Sequence, residues 1–486
     1  MSKIQKKLFN NILLLVLINF LIKPFWTFGV EIKVLNTVGA DAFGFYYAVF
    51  NFSFLFHIFI DVGINQFHNR EIARTPEKFL TQFSQLFNLK IFFSFLYIIV
   101  TLIAAYVVRY NEAQCKLLVI LGLNQIIQSF VLYNRASFTA LFRFKLDTFF
   151  SIFDKLLSII ICVFIFYFSP IKDSLSVDFK IEYFVYAQTF SLLMSFVLSF
   201  SILLFSEKMN WLKLEFTSFL PYLKKTLPFA VAVLLMTLYT RIDAVMIERL
   251  LPDSGAYQAG VYAAGYKILD ALNRIPYLFA SFLIPVFAKL LKDKEDFKPI
   301  FSAALKMLLV ISIGATVVSL FFGADILALM YTDYTPEWNS SFIYLILSFN
   351  TAVLIYVTGG LLTANNNLIT ISKMSLIALF INIVLNYFLI KQNGAAGASL
   401  ATLITQSAMA LMQIVLVLKV WKFNFSIQYF IKFCVYTLVL VLASFYLQSN
   451  WKNIAIIVFL ALVMSFAMNL VEWKMFLRNK KVNSEL

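Results

Sequence analysis

FFSFLYIIVTLIAAYVV (residues 92–108) contains no charged side chain, and neither does IAIIVFLALVMSFAMNLV (454–471). A helix of about 20 such residues crosses the roughly 30 Å of hydrocarbon in a bilayer. Lipid offers no hydrogen bonds to a bare backbone, so a chain crosses it as helices or as a closed barrel. These runs are continuous rather than alternating, which selects helices. Working outward with a window of about 19 residues gives about fourteen spans. They lie at roughly 10–31, 43–63, 86–108, 117–134, 148–168, 183–206, 226–248, 257–288, 300–322, 340–363, 372–390, 396–418, 428–448 and 452–472. No room remains for a soluble domain.

The composition fits an all-α, polytopic membrane protein: of 486 residues, 61% are hydrophobic and 13% charged, and the mean hydropathy is +0.85. One soluble core cannot bury that much apolar surface. The formal charge of +15 does not mark a nucleic-acid binder, because the cations are spread over short loops. On the side shared with the N-terminus the loops carry twenty-four Lys and Arg, against eight on the other. By the positive-inside rule both termini are expected in the cytoplasm. MSKIQKKLFNNILLLVLINFLIKPFW (1–26) has a basic start but no small-residue cleavage site, and reads as an uncleaved first span. Cys115, Cys162 and Cys434 lie in or beside spans without metal or redox spacing, so neither a disulfide framework nor a metal site is expected. The 56 Phe residues read as packing and lipid-facing bulk.

GADAFGFYYA (39–48) and GAYQAGVYAA (255–264) share Gly, Ala, Gly, Tyr and Ala at matching places. They are 216 positions apart, a distance of six spans, so both copies enter the membrane in the same direction. Two pseudo-symmetric six-helix lobes about an axis along the membrane normal follow, with a cavity expected between them. The expected divisions are a first lobe at 1–206, a cytoplasmic linker at 207–225, a second lobe at 226–420, and two additional helices with a tail at 421–486. NGAAGASLATLITQ (393–406) is a further small-residue helix start, read as a packing surface.

LLMTLYTRIDAVMIERLL (234–251) puts Arg241 and Asp243 inside such a span, where each costs about 2.5–3.5 kcal/mol at the bilayer centre. Two positions apart, they point about 200° away from each other and need partners elsewhere. The next span supplies Lys267, Asp270 and Arg274, spaced i, i+3, i+7 on one face, where Asp270 can neutralise only one of its two cationic neighbours. Together, apart from Glu248 at the end of the first, the two spans hold three cations and two carboxylates. Buried ion pairs that fix helix register are one account; the surplus cation favours a face that accepts an anion. In the first lobe, Lys23 precedes Pro24, Asp61 ends the second span, and Asp154 adjoins Lys155 in the fifth. Lys23 is a second cavity cation. Lys155 is expected to snorkel, and Asp61 or Asp154 either serves a coupling cation or proton or pairs with a neighbouring basic loop.

Catalysis has little to build on. The two histidines, His57 and His68, make no triad or His-based metal site, and no GxSxG, Walker A, HExxH or DxD motif occurs. No enzyme activity, resident metal or cofactor is expected.

Three stretches carry a resemblance: FLIKPFWTFGVEIKVLNTVGADAFGFYYAVFNFSFLFHIFIDVGINQF (20–67), LYTRIDAVMIERLLPDSGAYQAGVYAAGYKILDALNRIP (238–276) and LLTANNNLITISKMSLIALFINIVLNYFLIKQNGAAGASLATLITQ (361–406). In order and spacing the chain resembles the polysaccharide transporters, or O-antigen-type flippases. These form a branch of the superfamily that also holds the multidrug-and-toxin extruders and the lipid II flippases. The resemblance implies a MATE-like pair of lobes forming a V around a central cavity, and alternating-access export of undecaprenyl-diphosphate-linked oligosaccharide across the bacterial inner membrane for surface polysaccharide. It implies cavity cations on the helices that here carry Arg241, Lys267 and Arg274, with a weaker correspondence for Lys23. The implied partners are the lipid-linked glycan, membrane lipids, a coupling proton or sodium ion, and other polysaccharide-assembly proteins. Asp243 and Asp270, with Asp61 and Asp154, are the charge-balancing or coupling carboxylates.

A multidrug or cation antiporter of the same fold would favour a net anionic cavity. A membrane acyltransferase or glycan polymerase would want long outer loops, and those near 169–182 and 323–339 are short.

Overall fold

The computed structural model describes residues 22–74, 77, 79–168, 180–207, 220–422, 427–447 and 450–471. All its regular elements are helical. The helices in chain order are α1 (Ile22–Asp61), the polar α2 (Ile64–Arg74), α3 (Phe79–Val107), α4 (Glu112–Ala140), α5 (Phe144–Phe166), α6 (Ile181–Ser206) and α7 (Leu220–Leu250). They continue as α8 (Gly255–Asp293), α9 (Lys298–Met330), α10 (Trp338–Ala364), α11 (Leu368–Trp421), α12 (Ile427–Leu447) and α13 (Ile454–Ala467).

Ten of these are long and apolar enough to cross a membrane. Two of the ten are each two spans in series, because α1 loses helical geometry at Gly39 (φ 82°, ψ 164°) and α11 at Gly394 (φ 54°, ψ −129°). Glycine is required where φ is positive, since a Cβ would clash with the backbone. Helix α7 and the shorter α13 stand where hydropathy expects further spans, while most of the first expected span, 10–31, lies outside the described residues. The chain is a multi-pass membrane protein. Both copies of the internal echo fall at such joints: Gly39 breaks α1, and Gly255 opens α8, where a Cβ would come within 2.6 Å of the Glu248 carbonyl oxygen.

Local chemistry sets the other boundaries. Asn111 and Gln114 form a reciprocal capping box that starts α4. Pro276 and Pro285 sit inside α8, each removing a backbone donor. At 39 residues that helix is about 58 Å long, well past the hydrocarbon thickness.

The chain divides into two compact units, Met1–Thr237 and Leu238–Leu486, with the boundary inside α7. The linker expected at 207–225 lies mostly outside the described residues. In the first unit, Phe83, Phe87, Phe138, Phe150 and Tyr133 form an aromatic core, and Phe83 and Tyr133 have ring centroids 5.0 Å apart. Phe95, on the same helix as Phe83, is exposed, so phenylalanine serves both core and lipid-facing surface. Polar side chains bridge helices: Tyr133 Oη donates to the Phe83 carbonyl at 2.9 Å, and Asn134 Nδ2 to Ser199 Oγ at 2.9 Å.

In the second unit, Gly265 of α8 lets α10 approach so closely that a Cβ would lie 2.9 Å from Leu345 Cδ1. Ser341 and Ser399 hydroxyls meet at 2.7 Å between α10 and α11, and Thr358 donates to Gln413 Oε1 at 2.7 Å. Ala395, Gly397, Ala398, Ala401 and Thr402 are buried, the packing surface read from the NGAAGASLATLITQ stretch. Helices α12 and α13 pack on α9 through Tyr436, Leu440 and Ile457. Cys162 is buried, Cys115 half-buried and Cys434 exposed, and all three are free.

Candidate functional site

Helix α7 sends its two charges to different neighbours, as a two-residue spacing on a helix requires. Asp243 is 1% exposed. Its Oδ1 accepts from Asn382 Nδ2 at 3.0 Å and Asn386 Nδ2 at 2.6 Å, and its Oδ2 from Tyr262 Oη at 2.8 Å and Thr402 Oγ1 at 2.6 Å. An ionised carboxylate has about four lone-pair sites, and four donors fill them. Burying such a group is tolerable only when it is hydrogen-bonded in this way.

The donors come from α8 and from both halves of α11. Asn386 and Thr402, sixteen positions apart in sequence, would stand about 24 Å apart on one continuous helix. They touch the same carboxylate, so the chain must double back between them, and Gly394 is where its backbone leaves the helix. Gln258 secures that turn, its Oε1 accepting the Ala395 backbone N–H at 2.8 Å. A Cβ on Gly394 would run into the same oxygen.

Arg241 takes the other direction. Its Nη2 lies 3.6 Å from Asp270 Oδ2, and its Cζ 5.4 Å from the centre of the Tyr266 ring. The side chains of Arg241 and Asp270 are 25% and 36% exposed. Asp270 of α8 thus supplies the partner that Arg241 was expected to find in the next span. Lys267 and Arg274 follow on the same face of α8, both half-buried. Arg274 Nη1 and Asn273 Oδ1 are buried without a hydrogen-bond partner among the described residues. Asp243 is engaged by neutral groups, and the carboxylate beside Arg241, Lys267 and Arg274 is Asp270.

The first unit contains a charge network that the sequence reading passed over. Lys90, 0% exposed, points its Nζ at Asp61 Oδ1 (3.1 Å), Asn65 Oδ1 (3.3 Å) and Ser129 Oγ (2.7 Å). Asp61 was expected to pair with a basic loop or to serve a coupling ion; its partner is this lysine inside α3. The available signal was a lysine flanked by FNL and IFF within an apolar run. Asp154 is buried with Lys155 Nζ at 3.6 Å, and Lys155 Nζ also lies 4.9 Å from the Trp26 ring centre. Lys23 is half-buried near the start of the described part of α1. Lys306, also passed over, stacks on the Tyr429 ring at 3.4 Å.

The histidines pack: His57 stacks on Phe54 at 5.3 Å, and His68 bonds Ser137 Oγ at 2.8 Å. Among the described residues no group of three or more His, Cys, Asp or Glu side chains is placed to hold a metal ion.

Residues 8–291 match the family model described as polysaccharide biosynthesis protein. The chain belongs to that family. As a polysaccharide biosynthesis protein it is 25% identical, over 228 residues, to the capsular polysaccharide biosynthesis protein CapF of Staphylococcus aureus. That alignment covers 44% of this chain and 56% of the relative, so the chain spans little more than half the length of CapF. Among solved structures, this family member superposes on the inward closed conformation of the lipid II flippase MurJ with a TM-score of 0.70. The superposition covers 96% of this chain and 99% of MurJ at 18% identity. An inward-facing MATE family multidrug resistance transporter of the MOP superfamily gives 0.59, with 83% and 93% covered at 14% identity. The fold is thus that of the MurJ and MATE transporters, the class the sequence resemblance implied.

Proposed function

We propose that the protein is a flippase that carries an undecaprenyl-diphosphate-linked oligosaccharide across the bacterial cytoplasmic membrane for surface polysaccharide assembly. The observation that supports it most is the cationic face of Arg241, Lys267 and Arg274, set on membrane-spanning helices with Asp270 as its paired carboxylate. A diphosphate and its sugars cannot cross hydrocarbon unaided, because their desolvation costs too much. A cationic, water-filled face takes the head group while the polyprenyl tail stays in lipid. The Arg241 fork suits a phosphate pair, since guanidinium binds two oxygens at once. Lys23, on the first unit, is a further candidate head-group cation. Rocking of the lobes, with both termini in the cytoplasm, delivers the head group outward.

Asp243 is the coupling position in this reading. A proton or sodium ion arriving at its carboxylate competes with the Tyr262, Thr402, Asn382 and Asn386 donors and biases the cycle. Asp61 and Asp154, each beside a lysine, balance charge in the first unit. The relative's name, which concerns capsular polysaccharide, and the flippase title of the structural neighbour support the substrate class.

The test is the leaflet distribution of undecaprenyl-diphosphate-linked glycan in cells lacking the protein, complemented with wild type, Arg241→Ala or His57→Ala. Cytoplasmic-face build-up relieved by wild type and His57→Ala, but not by inserted Arg241→Ala, is the expected result. Normal export without the protein overturns the reading. A cation or drug antiporter of this fold is the second reading, favoured by the buried Asp243 carboxylate, and drug efflux without any leaflet effect would establish it.

A further inference from the structure

Within the second unit, a cavity of about 330 Å³ opens where α8 begins, α10 begins and α11 turns at Gly394. Gln258, Glu337, Ser340, Tyr344 and Asn393 line it over an apolar floor that includes Val261. Neither the cation face nor the Asp243 site uses these side chains.

The lining selects its ligand by chemistry. Its polar groups are two amides, two hydroxyls and one carboxylate, and no Lys or Arg is among them. A phosphate would meet Glu337 with no cation to offset the repulsion. A hydrocarbon chain would strand the amides and the carboxylate without partners. A sugar ring suits the set: each hydroxyl both donates and accepts, and the lining offers acceptors on Glu337 and donors on the amides and hydroxyls. The volume lies at the small end of the range for small-molecule sites.

Supporting contacts hold these groups in place. Trp338 Nε1 donates to Tyr257 Oη at 3.0 Å, and Tyr257 Oη donates to Glu337 Oε1 at 2.9 Å, so the carboxylate is braced from behind. Gln258 Oε1 is occupied by the Ala395 N–H, which directs the amide's donor side to a ligand. Along α8, Gln258 lies nine residues from Lys267, about 13.5 Å of helix rise. Nine residues are also two and a half turns, so the cavity lies toward the α7–α8 joint and on the side of α8 opposite Lys267.

We propose that this cavity is a carbohydrate subsite that holds an uncharged hexose or N-acetylhexosamine residue. It rests on the flippase reading for the source of the sugar, and the cavity stands apart from the face that takes the diphosphate.

The experiment is saturation-transfer NMR on the full-length protein in lipid nanodiscs, with oligosaccharide released by mild acid from the polyprenyl-linked pool of the host cell as the probe. Wild type is expected to transfer saturation to sugar ring protons, and Tyr344→Leu and Asn393→Ala to reduce it at least fivefold. Asn393→Ala, an exposed turn position, is the variant least able to disturb folding, and an unchanged melting temperature verifies that. No transfer to wild type, or equal transfer to wild type and to correctly folded variants, overturns the subsite. The leaflet assay separates the two ideas. Protein-dependent flipping without glycan binding ends the subsite alone, whereas mutation-sensitive glycan binding without a leaflet effect keeps the subsite and ends the flippase reading.

Discussion

Arg241 of α7 and Asp270 of α8 face each other across the joint between consecutive helices, 3.6 Å apart and about one-quarter to one-third exposed. Such a pair contributes only about 0–1 kcal/mol to stability, so a purely structural role would leave little trace. If Arg241 is a head-group ligand, its removal stops export while Asp270→Asn only weakens it. A register-fixing pair would instead give equal losses for both single variants and no further loss for the double. Export rates of Arg241→Ala, Asp270→Asn and the double variant, read as a double-mutant cycle, decide between these.

Replacing Asp243 separates its charge from its hydrogen bonding. Asp243→Leu removes the acceptor shared by Tyr262, Thr402, Asn382 and Asn386; Thr402 and Asn386 keep bonds to the Ala398 carbonyl and Asn382 Oδ1, and each buried donor left unsatisfied costs about 1–3 kcal/mol. Asp243→Asn keeps the shape and an acceptor oxygen. Thermal unfolding in detergent should therefore show a much lower melting point for the leucine variant, with the asparagine variant close to wild type yet deficient in ion-driven export. Equal melting of the two would mean the four donors find other partners.

The Gly394 turn is sterically closed to any other residue. Its positive φ and the approach of Gln258 Oε1 both oppose a Cβ, and the backbone conformation alone costs roughly 1–2 kcal/mol for an L-residue. Gly394→Ala is expected to lower the melting temperature. Gly359→Ala, where a Cβ would lie 3.3 Å from a movable Gln413 side-chain oxygen, should be milder.

Lys90 is held by Asp61 in a pair of which the lysine is wholly buried. Breaking such a pair from one side costs about 3–5 kcal/mol, and removing both charges costs far less. Lys90→Met should thus destabilise strongly, and Lys90→Met with Asp61→Asn should regain stability. A double variant no better than the single would show that Lys90 gains its main support from Ser129 and Asn65.

The charge bias of the loops sets an orientation that chemical labelling can read. In a chain freed of Cys115, Cys162 and Cys434, a membrane-impermeant maleimide should label Asn393→Cys in intact spheroplasts. Lys294→Cys, at the turn between α8 and α9, should label only after permeabilisation. The reverse pattern would invert the topology and place the carbohydrate cavity on the cytoplasmic side.

The crossings were legible because hydrocarbon thickness imposes a length on each apolar run, and the Arg241–Asp243 divergence because helical rotation is fixed. Lys90 escaped notice because one lysine scarcely dents the hydropathy of a long apolar window, and its partner Asp61 lies 29 positions away, in the preceding span. The Asp243 cage was equally hidden. Asn382, Asn386 and Thr402 are ordinary polar residues until a turn at Gly394 brings them to one carboxylate from 139 to 159 positions away. That Arg241 finds its partner in the next span was legible from its isolation on α7, whereas spacing alone could not say which of the residues there faces it.

The closure of α11 on itself gives Asp243 a part beyond binding. One side chain reads the positions of α7, α8 and both arms of α11 together, so a single neutralising event loosens four segments in the same instant. In the proposed ion-coupled cycle no relay of successive rearrangements is needed between an arriving ion and a moving helix, because the proposed seat of the ion and the fastening it would undo are the same two oxygen atoms.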